Sequence, residues 1–289
     1  KLSEAEFLSQ SNWYGNWSFD PALYMPLLHF ARLNRIPLIA LNVNRSLFNE
    51  VQAHGWAAIP QERRQGITDP VPPERAYLEM LASSFVQHHP GPKGHEVKTL
   101  EQFSTEEKQV LKRFVEGQQL WDRAMAQGLA DMATRDHAPL VVGIMGSGHM
   151  MDGFGVPHQL SALGIKETAS FVPWDEQLSC EDLVPEFAYA VFGLKTFSAP
   201  VEDKPHLGVY LESDEKGIKV VKLVEHSVAS SSGIAIGDRI VELAGSAVNN
   251  MSEVVAIVQR MVPGAWLPII VLRGDKRLEL IAKFPVKQP

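Results

Sequence analysis

The sequence predicts an α/β domain followed by a small, mostly-β domain. Three observations carry this. Residues 20–44 read as a helix and then a strand, residues 140–160 as an apolar run that ends in a glycine-rich turn. From about residue 204 the pattern becomes a succession of short strands. The chain has 289 residues, long enough for two domains of ordinary size. Its 45% hydrophobic and 21% charged content is that of a folded chain. A formal net charge of −7 with scattered basic residues excludes a general affinity for nucleic acid. Cys180 is the only cysteine, so neither an intramolecular disulfide nor a cysteine-based zinc site is available. No run of 18 apolar residues marks a membrane span. The opening "SEAEFLSQ" enters in mid-helix and has no signal-peptide core, which predicts further residues upstream.

In the first domain Asp20 is the expected N-cap, with Pro21 at the first helical position. Leu23, Leu27, Phe30 and Ala31 follow at helical spacing, and "IPLIALNV" is expected as a short buried strand. A second helix near "SLFNEVQAHGW" is expected to be capped by Ser46. Residues 60–98 are irregular and rich in proline and glycine. Their histidines His88, His89 and His95 are expected as solvated loop residues. Next comes a long amphipathic helix, capped at Thr105. Its apolar face is expected to be Val110, Leu111, Phe114, Val115, Leu120, Met125, Leu129 and Met132.

Leu140, Val141, Val142 and Ile144 are then expected as a buried strand that delivers "GSGHMMDGFG". The glycine spacing fits neither the dinucleotide fingerprint nor the phosphate-binding loop with its lysine. The glycines are therefore read as letting the backbone turn at a strand's C-terminal end, where open α/β sheets place their ligands. His149 becomes a site candidate, and His158 is read as scaffold. The expected boundaries are 1–175 for this domain, 176–203 for a proline-rich linker, and 204–289 for the second domain.

The second domain resembles a PDZ domain of the bacterial HtrA-protease type. The residues that carry this are Leu207-Gly208-Val209, Gly217-Ile218-Lys219-Val220, Ser227-Val228-Ala229, Ser232-Gly233-Ile234 and Gly237-Asp238-Arg239-Ile240, then a helix and Pro263-Gly264. The resemblance implies a peptide-docking groove. In it Leu207, Gly208 and Val209 would hold the carboxylate of a C-terminal peptide or protein partner, opposite the helix from Ser252 to Met261.

The first domain resembles the ChaN-like haem-uptake family, which is related to the Tiki and TraB families. The matching segments are "NWYGNWSFDPALYMPLLHFA", "IPLIALNVNRSLFNEVQAHGWAAI", "QLWDRAMAQGLADM" and "GSGHMMDGFGVPHQL", in the family's order. The resemblance implies an α/β fold and a haem-binding envelope lipoprotein in iron acquisition, periplasmic or at the outer membrane of Gram-negative bacteria, often a homodimer. The family opens with a Gly-Glu-x-His strand and a second strand carrying a glutamate; neither is in this sequence. By resemblance Tyr24 is the first choice of haem ligand and Tyr14 the second, since tyrosinate suits ferric haem that is handed on. His149 and His29 would hydrogen-bond the tyrosinate or a propionate, and Arg45 would pair with a propionate. Trp13, Trp17 and Phe19 would wall the porphyrin. The alternative is a metal-dependent hydrolase, with His149 as one ligand of a divalent ion and peptides selected by the PDZ domain. A third possibility is an adaptor in which only the PDZ groove matters.

Overall fold

A computed structural model describes residues 2–11, 13–17, 19–88, 99–137, 139–196, 205–214 and 216–286. The chain divides into two compact units, one made of Lys1–Arg35 with Ser198–Pro289, the other of Ile36–Phe197.

In the first unit the N-terminal stretch forms α1 (Glu4–Gln10), α2 (Trp13–Asn16) and α3 (Met25–Asn34). Asp20 caps the turn that begins at Pro21, as expected, its carboxylate accepting from the Ala22 N–H at 3.0 Å. Of the predicted apolar stripe on α3 only Ala31 is buried; Leu23, Leu27 and Phe30 are exposed.

The second unit is built on four helices: α4 (Arg45–His54), α5 (Arg75–His88), α6 (Thr105–Ala133) and α7 (Val156–Ala162). The long α6 is its axis, packing against each of the other three. Val115 and Leu111 meet Leu81 and Phe85 of α5, Leu120 meets Leu47 and Val51 of α4, and Ala126 and Ala130 meet Val156 and Leu160 of α7. Two caps differ from expectation. Ser104 rather than Thr105 starts α6, because it forms a reciprocal capping box with Glu107. Asn44 rather than Ser46 starts α4; its carbonyl oxygen accepts from both the N–H and the hydroxyl of Ser46. Val110 of the predicted apolar face points to solvent.

The sheet of this unit is a parallel pair, β1 (Phe171–Asp175) and β2 (Ala190–Leu194), in register from Phe171↔Ala190 to Asp175↔Leu194. β2 falls inside the stretch expected as linker. The two expected buried strands are a correction: residues 36–44 and 139–146 form no strand and have no ladder partner among the described residues. Leu38 is 60% exposed, Leu140 92% and Val142 74%. A strand is buried by neighbours on its edges and faces, and its own apolar run does not supply them.

The rest of the first unit is an antiparallel sheet of order β3-β4-β5-β7-β8, from β3 (Val209–Asp214), β4 (Gly217–Leu223), β5 (Arg239–Leu243), β7 (Trp266–Arg273) and β8 (Lys276–Lys283). The short β6 (Ser246–Ala247) pairs with β5. Helices α8 (Val228–Ser231) and α9 (Met251–Gln259) complete it, and α2 packs against α9. Ile218, Val220, Ile240, Leu243, Val254, Leu267, Ile269 and Val271 form its closed core. Gly274 and Asp275 form the two-residue turn of the β7–β8 hairpin.

Across β3 and β5, Asp214 accepts from both terminal nitrogens of Arg239 at 2.6 Å and from the Lys216 N–H at 2.7 Å. The hydrogen bonds of Arg239, then that of Lys216, draw the Asp214 carboxyl down to about 2. Its stabilisation is therefore present above the ordinary value of 3.8 and is lost as pH falls towards about 2. An NMR titration of the Asp214 carboxyl will find its midpoint near the lower value; a midpoint near 3.8 contradicts the pairing.

Candidate functional site

The glycine loop folds as two 3-10 turns, Ser147–His149 and Met151–Gly153. It is tied to the chain after β1 by the Asp152 N–H, which donates to the Phe187 carbonyl at 2.8 Å. The loop turns His149 onto α6, where its Nδ1 lies 2.6 Å from Oδ1 of Asp122. Asp122 is 1% exposed, and its other oxygen accepts from the Tyr77 hydroxyl at 2.7 Å. Burial first, and then the charge of Asp122, push the Tyr77 phenol well above its ordinary range, so it stays a donor.

Next to this line, Trp121 meets the His149 ring edge-on at 6.1 Å and stacks on Phe48 at 4.7 Å. The Trp121 indole Nε1 is buried without a hydrogen-bond partner among the described residues. Gly155, at φ +58°, closes the loop over the pair. A Cβ there would lie 2.6 Å from the His149 carbonyl oxygen and 3.1 Å from Oδ1 of Asp122, so the close approach requires glycine. Arg123, although adjacent to Asp122, turns away. Its guanidinium donates to Thr68 Oγ1 at 2.7 and 2.9 Å and to Gln159 Oε1 at 3.4 Å. Gln159 in turn bonds the backbone of Val71, which fixes the loop before α5 to α7.

The residues singled out from sequence are divided between the units. His149 and Arg45 belong to one, Arg45 being the exposed first residue of α4. Tyr24, Tyr14 and His29 belong to the other. Tyr24 is half-buried among Trp13, Trp17 and Phe19, with ring centroids 5.7, 5.6 and 6.3 Å away. The Trp13 indole donates to the Phe19 carbonyl at 2.9 Å, whereas that of Trp17 is buried with no partner among the described residues. His29 is exposed on α3; Tyr14 lies in α2, and its side chain is outside the description. His158 has its ring on the Pro72 carbonyl at 3.0 Å, as scaffold. His89 and His95, and the side chain of His88, lie outside the described residues. Among the described residues no group of three His, Cys, Asp or Glu side chains is placed to hold a metal ion.

Tyr77 and Asp122 were not found from sequence. The available signal was Asp122 itself, which sits in the buried stripe of α6 at Val115, Asp122, Ala126 and Ala130, seven and then four residues apart.

In the β-rich unit, Leu207 is buried and Gly208 adopts φ +77° immediately before the edge strand β3. The Leu207 carbonyl accepts from the Ala229 N–H at 2.8 Å and the Gly208 carbonyl from the Val224 N–H at 2.9 Å. Val209 is half-buried at the start of β3, and α9 packs beside that strand with Met251 and Val255 exposed.

The model of the family described as haem-binding uptake, Tiki superfamily, ChaN, matches residues 1–160, and a PDZ domain model matches residues 205–283. The first covers more than half of the chain, which therefore belongs to the ChaN-type haem-binding uptake family and carries a PDZ domain behind it. Similar solved structures include the HtrA-type protease AlgW with a decapeptide, 22% identical over 30% of each chain, TM-score 0.28. Others are the serine endoprotease from Yersinia pestis, 24% identical over 28% of this chain and 29% of that one, TM-score 0.26; and the HtrA3 PDZ domain bound to a phage-derived ligand (FGRWV), 24% identical over 28% and 84%, TM-score 0.26. The chain spans less than a third of the length of the AlgW protease. A search of curated proteins gave no match. Among the described residues no helix is long and apolar enough to cross a membrane.

Proposed function

We propose that this protein binds haem for iron acquisition and uses its PDZ groove to dock a C-terminal peptide or protein partner. The observation that carries the first half is the His149–Asp122 pair: an imidazole held by a buried carboxylate, in a chain of the haem-binding uptake family. Haem would supply an iron that takes nitrogen or oxygen donors. The residues fit it. Nδ1 of His149 is occupied by Asp122, which leaves Nε2 as the ring's donor, a usual arrangement for a metal-facing histidine. Beside it, Trp121 and Phe48 offer an apolar wall and an indole N–H with no partner among the described residues. Within the other unit, taken by itself, Tyr24 set among three aromatic rings is the candidate phenolate donor, with Tyr14 as the second choice. Each in its own unit, Arg45 and His29 are the candidates for a propionate.

The compartment follows from this reading. Haem uptake places the protein in the bacterial cell envelope, periplasmic or held at the outer membrane by a lipid anchor, and a homodimer is the expected assembly. Gel filtration of the chain with a twofold excess of hemin tests the proposal. Hemin absorbance will co-elute with wild type and fall at least tenfold with His149→Ala. Elution of all hemin at the small-molecule volume overturns it.

For the PDZ groove, Gly208 is the test. A side chain there would place its Cβ 2.3 Å from the Ser227 Cβ, at a φ that disfavours L-residues. Gly208→Val will weaken binding of a labelled peptide with a free C-terminal carboxylate by at least about tenfold, because the N–H groups that take the carboxylate are displaced. Equal binding of the free and amidated peptide by wild type contradicts carboxylate recognition.

A further inference from the structure

Tyr77, Asp122 and His149 form a line of two short hydrogen bonds, and the proton positions along it follow from chemistry. A carboxylate only accepts. Tyr77 therefore donates to Oδ2, and Oδ1 takes the proton of His149 Nδ1. The neutral ring then has its lone pair on Nε2. Among the described residues no lysine or arginine is bonded to Asp122, whose neighbour Arg123 is engaged by Thr68 and Gln159. The His149 hydrogen bond is therefore the stronger for having no competing cation.

We infer that Asp122 and Tyr77 are positioning residues that lock His149 in the Nδ1–H tautomer and present a carboxylate-polarised Nε2 to a bound ligand. The identity of the acceptor rests on the haem reading; the tautomer does not.

The arrangement makes a counter-intuitive prediction. In Asp122→Asn, the amide has one oxygen and one NH2 to divide between Tyr77 and His149. Turning the NH2 towards Tyr77 leaves the phenol proton buried without an acceptor, which is the costlier choice. The amide oxygen therefore stays with Tyr77, and the NH2 faces Nδ1, which must become an acceptor. The proton moves to Nε2 and the donor lone pair is lost. Removing the hydroxyl as well, in Tyr77→Phe with Asp122→Asn, frees the amide to turn its oxygen back to Nδ1 and restores the first tautomer. One hydrogen bond sets a preference of roughly tenfold each way.

The test is long-range 1H–15N NMR of the histidine rings in the full chain without haem, at about pH 9, where an ordinary imidazole is neutral. His149 is assigned by comparison with His149→Ala. Nδ1–H in wild type, Nε2–H in Asp122→Asn and a return to Nδ1–H in the double variant are expected. Tyr77→Phe alone, the mildest change, keeps the wild-type tautomer. Nε2–H in wild type, or an unchanged tautomer in Asp122→Asn, overturns the inference. With hemin added, tighter binding is expected in wild type and the double variant than in Asp122→Asn. Predicted tautomers with no hemin binding overturn the haem reading and leave the positioning roles standing.

Discussion

Asp122→Ala will cost the helical unit about 3 kcal/mol of stability and lower its hemin affinity by 10- to 100-fold. The stability loss has two parts. The Tyr77 hydroxyl, on a residue that is itself buried, keeps its proton and loses its acceptor, at about 1–3 kcal/mol. The space left beneath α6 adds a cavity term, since Asp122 lies in the buried stripe between Leu120 and Ala126. The affinity loss follows from His149, whose Nδ1 no longer has the carboxylate that orients it; removing such a partner typically costs a metal site one to two orders of magnitude. Urea unfolding and hemin titration measure the two effects on one preparation. A stability loss below about 1 kcal/mol contradicts the buried line, because that is less than a single orphaned hydroxyl.

Asp238→Ala is expected to destabilise the PDZ domain by about 1–3 kcal/mol in urea unfolding. Asp238 is fully buried, and its two oxygens accept from Arg273 at 2.8 and 2.9 Å and from the Ala235 N–H at 2.8 Å. Arg273 also donates to the Gly233 carbonyl, so the carboxylate joins β7 to the turn before β5. Truncating it takes the carboxylate from a half-exposed guanidinium that keeps its bond to Gly233 and leaves the half-buried Ala235 N–H without its acceptor, at about 1–3 kcal/mol. Burial alone would raise the Asp238 carboxyl, but the Arg273 hydrogen bonds and that of Ala235 outweigh it and hold it below its ordinary value. With a lowered native value, its stabilisation is fully present above 3.8 and is lost as pH falls below 3.8 through the native value. Asp238→Asn will therefore flatten the acid limb of the domain's stability curve, and an unchanged limb contradicts the assignment.

The PDZ domain was the legible part, because its signals are local. Glycines at turns, alternating strands and the Gly237-Asp238-Arg239-Ile240 segment each act within a few residues, and Asp238 is the residue whose burial that segment serves. Of the helices of the other unit, α4 and α6 were legible for the same reason, to within a cap residue at Asn44 and Ser104, whereas α5 (Arg75–His88) lies in the stretch 60–98 that reads as irregular, its apolar residues masked by the flanking prolines and glycines. Its strands were not. An apolar run such as Leu140 to Ile144 says that the segment belongs beside other strands, but not where those strands are, and here it is exposed. His149 was found as a candidate from its glycine turn, whereas its partners were missed. Asp122 lies 27 residues before it and Tyr77 a further 45 before that, and only the packing of α5, α6 and the loop joins them. Of the other haem candidates, Tyr24 and His29 sit in a different unit from His149, a separation that no motif spacing reveals.

The central claim is that His149, held by Asp122, belongs to the haem-binding site of this protein. Hemin titration of the full chain, followed at the Soret band, tests it most directly. The account predicts a saturable shift of the band for wild type and a different band position for His149→Ala at saturating hemin. No saturable shift in wild type, or identical bands for the two proteins, would contradict it.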